Sequence, residues 1–265
     1  MLRELFTYLR DRGSSVARGL ELDREAVSID FRHRRCHAAW APHLEAARAC
    51  ILDAAGTAPG RETAVILGSG SCLDVPVAEL AAGFATVILV DAHHPRRARE
   101  LGKRFSNVRL AAADVTGMAA QARRAAKGRA PLPSPAPLPD PLPGVRPDFT
   151  ASVNLVSQLP IPFYKILGRR LAEPELAAFC RGLIEAHLDW LAGRPGRTCL
   201  ICDTVWQRVD DSGITQSRSA LEGLVLPPPD RAWTWNIAPR PEESPAYDRQ
   251  NQVAAYLDFT AAMRR

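Results

Sequence analysis

The chain has 265 residues, of which 46% are apolar, and a formal net charge of +5. This is enough to bury a substantial core as one large α/β domain with a helical appendage or as two small domains, and it excludes disorder throughout. The longest apolar stretches, such as Ala64 to Leu67 and Thr86 to Val90, fall far short of the roughly 20 residues of a membrane-spanning helix, so neither a transmembrane segment nor a membrane partner is expected.

Met1 to Arg12 intersperses Arg3, Glu4, Arg10, Asp11 and Arg12 among apolar residues and so lacks the continuous apolar run of a secretory signal. The six cysteines are scattered rather than framework-spaced, which suits a reducing compartment and predicts a cytoplasmic protein. Lys103, Lys127 and Lys165 are the only lysines. Arginine therefore carries the positive charge, which with abundant Ala and Pro reads as the codon bias of a GC-rich bacterial genome. A basic protein is drawn to phosphates, but a charge dispersed along the chain fits a solvated surface. A small-molecule partner is thus preferred to nucleic acid.

The chain opens with helical spacing at Leu2, Leu5, Phe6 and Leu9, and a longer helical pattern runs from Phe31 to Ala54. Trp40, Leu44, Ala47, Cys50 and Ile51 form its apolar stripe, and Pro42 is a place for a kink or restart. Residues 1–56 are read as an N-terminal helical segment able to cap a substrate site, and residues 57–265 as the main domain. After the turn at Gly56 to Gly60 the pattern changes to strand 64–67, helix 73–82, strand 86–90, helix 95–104 and strand 108–111, an alternation that predicts a parallel sheet with right-handed crossovers. Proline recurs through 131–147, which excludes regular structure and predicts a surface loop. A strand at Phe149–Leu155, a helix at Glu173–Ala192 and a strand at Thr198–Cys202 follow. Trp233–Ile237 reads as a strand and Asp248–Met263 as a last helical piece.

The chemistry is concentrated in Val65-Ile66-Leu67-Gly68-Ser69-Gly70-Ser71-Cys72-Leu73-Asp74, a buried strand ending in two closely spaced glycines before a helix. Glycine belongs there because the chain turns sharply and a ligand must approach the backbone. Asp91 ends the next strand, where a carboxylate can accept hydrogen bonds from ribose hydroxyls. Asp114 lies just past the third strand, placed either to meet an adenine edge or to cap the helix starting near Thr116. With Ala92 and Val115 beside the two acids, this segment resembles motif I of the class I S-adenosylmethionine-dependent methyltransferases.

The resemblance covers about Glu62 to Cys202. It implies an α/β, Rossmann-like, doubly wound sheet of seven strands, mostly parallel with one reversed, and S-adenosylmethionine as cofactor. Gly68, Ser69, Gly70, Asp91, Ala92, Asp114, Val115 and Asn154 are its implied contacts. Cys72 stands where the family pattern has a third glycine. Dinucleotide binding expects that glycine at Leu73, so an NAD(P)-dependent oxidoreductase ranks second, beside a non-catalytic binding module on the same fold. No Gly-Lys-Ser/Thr follows the glycines, which excludes a P-loop.

In Ser152-Val153-Asn154-Leu155-Val156-Ser157-Gln158-Leu159-Pro160 the polar residues would face the transferred methyl, so Asn154 and Gln158 are the catalytic candidates, with Ser157 beside them. The Asn/Asp-Pro-Pro-Tyr/Phe string of enzymes that methylate amide or base nitrogens is absent here. Methyl transfer works mainly by positioning and desolvation, so a general base is optional. His93 and His94 are acid–base candidates that can equally flank a ribose or lie at the surface. Asp203 is placed to reach the site or a metal, with an ordinary strand-end turn preferred.

No metal is expected: His33, Cys36 and His37 share a helix side without a fourth ligand and beside Arg34 and Arg35, and Cys199 and Cys202 would face opposite sides of a strand. The cluster Arg96, Arg97, Arg99, Lys103 and Arg104 fits a solvated helix face better than a phosphate site. Trp40, Trp206, Trp233 and Trp235 are left between acceptor pocket and core.

Overall fold

The computed structural model describes residues 22–264, so the helical spacing at Leu2 to Leu9 lies outside the described residues. Two helices come first, α1 (Leu22–Arg35) and α2 (His37–Gly56). The restart falls at Cys36, and Pro42 sits inside α2 without ending it. Strands and helices then alternate as β1 (Thr63–Leu67), α3 (Val77–Gly83), β2 (Thr86–Asp91), α4 (Arg96–Arg104), β3 (Val108–Ala112), α5 (Ala119–Ala126) and β4 (Phe149–Val153). Beyond them lie α6 (Pro160–Leu167), α7 (Glu173–Ala192), β5 (Arg197–Asp210), β6 (Gly213–Ser219), β7 (Arg231–Ala238), β8 (Asp248–Tyr256) and α8 (Phe259–Ala262).

The main path of the sheet is β3-β2-β1-β4-β5-β8-β7. The first five of these strands are mutually parallel, and β8 is the one reversed strand, antiparallel to both β5 and β7. The expected Rossmann-like, doubly wound sheet of seven strands is therefore built, with β6 added as an eighth that pairs with the outer half of β5.

Side chains alternate between two helical layers, as the period of a strand requires. Ala64 and Ile66 enter the core shared with α2, α3 and α4, whereas Val65 and Leu67 pack on the other face with Val115 and Leu159. Cys199 and Cys202 likewise end in different cores, on opposite sides of β5. Trp40, Leu44, Ala47, Cys50 and Ile51 of α2 belong to the same buried cluster as the sheet residues Ile66, Ala151 and Ile201. The proline-rich stretch 131–147 forms no helix or strand. Leu132 and Leu138 anchor it on the core under α6 and α7.

Three segments depart from the sequence reading, the first being the strand expected at Thr198–Cys202, which runs on to Asp210 as β5 because β8 and β6 pair with its outer half. Asp248 to Met263 is not one helix: its first part is β8, and only Phe259–Ala262 is helical. Val253 and Ala255 feed one core while Ala254 and Tyr256 feed the other, a period of two that matters only because β5 and β7 leave a strand-wide slot with unpaired edges on both sides. The fourth strand ends at Val153 rather than Leu155, because Asn154 adopts a φ of +49° and leaves the ladder.

Ile51 in α2 and Ile66 in β1 are both fully buried in one cluster. Ile51→Ala and Ile66→Ala are each expected to lower unfolding free energy by about 2–5 kcal/mol, in a single urea transition followed by circular dichroism. A separately folding N-terminal segment would instead give Ile51→Ala a transition of its own and leave the sheet's midpoint unmoved.

Candidate functional site

Strand order reverses between β1 and β4, and at such a switch point the loops after neighbouring strands diverge and leave a crevice at the carboxyl edge. A cleft of about 550 Å³ opens there, within the size range of small-ligand sites. Gly68, Ser69, Gly70, Asp91, Ala92, Asp114, Val115, Asn154 and Gln158 all line it.

The loop after β1 uses its two glycines differently. Gly68 has a φ of +73°, and a Cβ there would stand 2.7 Å from the Val153 carbonyl oxygen and 2.8 Å from Leu155 Cβ. Close packing on the end of β4 therefore requires it. Gly70 is also left-handed at +44°, but nothing lies within 4 Å of its missing Cβ, so its backbone is open to approach. Cys72 takes a φ of +54° without being glycine, a conformation that costs an L-residue roughly 1–2 kcal/mol. Burial pushes its thiol up to about 12, so it stays protonated.

Asp91 accepts from Gly70 N–H at 2.8 Å through Oδ2 and from His93 N–H at 3.2 Å through Oδ1. Burial raises its pKa, and these two amides oppose the rise. Asp114 holds its own turn: Oδ1 accepts from the backbone and hydroxyl of Thr116 at 3.0 and 2.6 Å, and Oδ2 accepts from Ala119 N–H at 2.9 Å. The carboxylate thus satisfies an amide at the start of α5 while also facing the cleft.

Beyond β4 the cleft wall joins residues far apart in sequence. Asn154 Nδ2 donates to Asp74 Oδ2 at 2.8 Å and lies 3.2 Å from His43 Nε2, while the Trp233 indole N–H donates to His43 Nδ1 at 3.1 Å. The His43 ring stacks on Trp235 at 3.9 Å. Burial depresses its pKa to about 3, so the imidazole is neutral. Neither His43 nor Asp74 was singled out by the sequence reading. The available signal was a histidine set into the apolar stripe of α2, and its partners lie more than a hundred residues away, just past β4 and on β7.

Asp203 also reaches the cleft, near the middle of β5; the residue is 6% exposed and its Oδ2 accepts from Ser157 Oγ at 3.3 Å. Gln158 is exposed at the rim. His93 and His94 are both buried rather than at the surface, and only His93 borders the cleft. Trp40, Trp206 and Trp235 line it as well, whereas Trp233 acts through His43. Of the α4 cations, Arg96 pairs with Glu100 and Arg99 donates to the His94 carbonyl. Among the described residues no group of three or more His, Cys, Asp or Glu is placed to hold a metal ion. No helix of the described residues is long and apolar enough to cross a membrane.

No family model and no curated protein matches the sequence. Among solved structures the chain is similar to the N-methyltransferase NodS from Bradyrhizobium japonicum WM9 in complex with S-adenosylhomocysteine, at 12% identity over 79% of this chain and 85% of that one, with a TM-score of 0.37. It is also similar to 1,6-didemethyltoxoflavin-N1-methyltransferase from Burkholderia thailandensis, at 14% identity over 88% and 90% of the two chains and a TM-score of 0.34. The 23S rRNA methyltransferase ErmE is 13% identical over 78% and 67%, with a TM-score of 0.32.

Two outcomes follow from the geometry of the cleft. Gly68→Ala is expected to cost more than about 2 kcal/mol of stability and to displace the end of β4, whereas Gly70→Ala should cost about 1 kcal/mol, the backbone strain alone, in parallel urea titrations.

Asp203 supplies the second. Burial lifts its carboxyl to about 6, against hydrogen bonds from Asn251 and Ser157 and the charge of Arg249, with Asp74 adding to the rise. The fold therefore prefers the protonated form, and this contribution to stability is complete below the ordinary aspartate pKa of about 4 and lost as pH rises through about 6. Asp203→Asn should flatten the pH dependence of unfolding free energy between about pH 4 and 7, and an unchanged slope would show that the carboxyl ionises as freely in the fold as in the unfolded chain.

Proposed function

We propose that this chain transfers a methyl group from S-adenosylmethionine to a small-molecule acceptor. The observation that carries the reading is the coupling of Gly70 to Asp91: an open, left-handed glycine after β1 donates to a carboxylate that ends β2, at the edge of the cleft. That arrangement presents backbone and carboxylate together to a ribose.

The remaining residues fit the same cofactor. A carboxylate has about four lone-pair sites. Asp91 uses two in the fold and keeps the rest for ribose hydroxyls. Asp114 uses three and keeps one for an adenine amino group, with Val115 beside it. Asn154 Oδ1 is buried in the cleft wall without a hydrogen-bond partner, an acceptor suited to the ammonium of the methionyl part. S-adenosylmethionine supplies a methyl carbon bonded to a cationic sulfur. The chain's own work is to orient the acceptor against that carbon and to exclude water. Ser28, Ile29 and Arg32 of α1 border the cleft, and its volume of about 550 Å³ favours a small acceptor over RNA or protein. Leu73, buried where a pyrophosphate-binding turn needs glycine, speaks against a nicotinamide dinucleotide.

Calorimetric titration with S-adenosylmethionine and S-adenosylhomocysteine tests the reading. Both should bind in the micromolar range, and Asp91→Ala should weaken them by about 1.5–3 kcal/mol, the value of hydrogen bonds to a charged group. Absence of binding by either compound, or binding of NADH instead, overturns it.

A further inference from the structure

We propose that Asp203 and Asn251 form the acceptor end of the cleft and take an aromatic amine, a flat ring bearing a weakly basic N–H group whose proton passes to Asp203. This rests on the methyltransferase reading and names the substrate class for the same cleft.

Asp203 lies where the β5–β8 ladder shifts register between Asp203 and Val205, the kind of irregularity that re-aims a side chain. It is 6% exposed and Asn251 is 4% exposed, both border the cleft, and in each the Oδ1 atom has no hydrogen-bond partner in the protein. Two buried acceptor oxygens without donors are costly to leave dry. An amino group has two hydrogens to give them, whereas a hydroxyl has one. Trp206 and Trp235 stand on either side of Asn251 in one cross-strand row of β5, β8 and β7, and both face the cleft. One face of Trp235 carries His43 and the Trp206 ring lies under Arg218 and Arg249, so a ring would meet the remaining indole surface toward the cleft, and the buried indole N–H of Trp235, also without a partner, is a donor for a ring nitrogen.

Proton balance selects the aromatic amine over an alkyl one. In the transfer, the amine lone pair forms the new N–C bond to the methyl carbon. The methyl's bond to sulfur breaks with its electron pair remaining on sulfur, and one N–H proton of the methylated ammonium moves to Asp203 Oδ1, from which water removes it. An arylammonium is acidic enough to give that proton to a carboxylate held at about 6, and an alkylammonium is not. The other charged groups near Asp203 are Arg249, whose guanidinium pairs with Glu243 and lies over the Trp206 ring, and Asp74. The carboxylate is therefore not neutralised by a direct ion pair, and its residue borders the cleft.

Matched amine and hydroxyl probes decide the matter on the full chain, with and without S-adenosylhomocysteine: aniline and phenol, 5-aminoindole and 5-hydroxyindole, 6-aminoquinoline and 6-hydroxyquinoline. Calorimetry should show at least one amine binding about tenfold more tightly than its hydroxyl partner, the effect of one additional hydrogen bond. Asp203→Asn and Asn251→Ala should each abolish that preference while leaving affinity for S-adenosylhomocysteine unchanged. In the unmutated protein, carbon-13 NMR should place the Asp203 carboxyl midpoint near 6 and show it falling as the amine saturates. Equal binding of amines and hydroxyls in every pair, an amine preference that survives Asp203→Asn, or a midpoint unmoved by the amine overturns the proposal. S-adenosylhomocysteine binding without an amine preference removes this site and leaves the cofactor reading standing. An amine preference without S-adenosylhomocysteine binding does the reverse.

Discussion

The cleft depends on the contact between Gly68 and the end of β4. With the carbonyl of Val153 and the side chain of Leu155 pressed against the place where a Cβ would be, the turn after β1 and the turn after β4 become one packed unit. Gly68 N–H also donates to the Val90 carbonyl at 3.0 Å, tying the same turn to β2. Three neighbouring strand ends are thus held in register, and Gly70, Asp91 and Asn154 inherit fixed positions from them. The left-handed backbone at Asn154 belongs to this arrangement: its amide N–H reaches the Ile201 carbonyl at 2.8 Å, so the turn after β4 is locked to β5 as well. A site built in this way is preorganised by backbone packing, and its side chains have little freedom left to lose on binding.

The other half of the cleft is built on a different principle. β5 continues for several residues past its parallel neighbour β4, and there it pairs with β8 on one edge and β6 on the other. The antiparallel extension carries Trp206, Asn251 and Trp235 across three strands as a wall of the cleft beyond the ends of β1 and β4. The α1 helix leans toward this wall, held by Arg35 to Glu242 at 2.6 Å and by Arg32 to Glu242 and Glu243 at 3.4 and 3.3 Å. The paired arginines hold the Glu242 carboxyl below its usual range. Such partly exposed pairs are each worth little and weaken with salt, so they orient the helix while the core fixes α2 beneath it.

A neutral imidazole at the centre of this wall has a structural logic. His43 is set among Trp40, Trp233 and Trp235, and a charged ring there would lose its hydration without an anionic partner in contact. Kept neutral, it accepts the Trp233 indole N–H on Nδ1, while its Nε2 lies against Asn154, whose Nδ2 donates to Asp74. The two walls of the cleft therefore meet at His43 and Asn154, and the packing of α2 on β7 is what brings the Trp233 indole onto His43.

Much of this protein was determined by local sequence. The alternation from β1 to β5 was legible because each buried strand is a short apolar run bounded by turn residues. The glycines and acids at the carboxyl ends of β1, β2 and β3 were legible because a sharp turn and a strand-end carboxylate carry their own sequence marks, and the opposed faces of Cys199 and Cys202 follow from strand geometry alone. Only the tertiary structure decided that residues 248–256 are a strand, since those residues also suit a helix until β5 and β7 offer two unpaired edges. It also decided the meeting of His43, Asp74, Asn154 and Trp233, and the pairing of Asp203 with Asn251, because contacts between residues on separate elements leave no period or spacing in the chain. Asp114 shows both at once: sequence placed an acid after β3 and left its task open, and the fold turned its carboxylate onto Thr116 and Ala119 because those buried amides needed an acceptor.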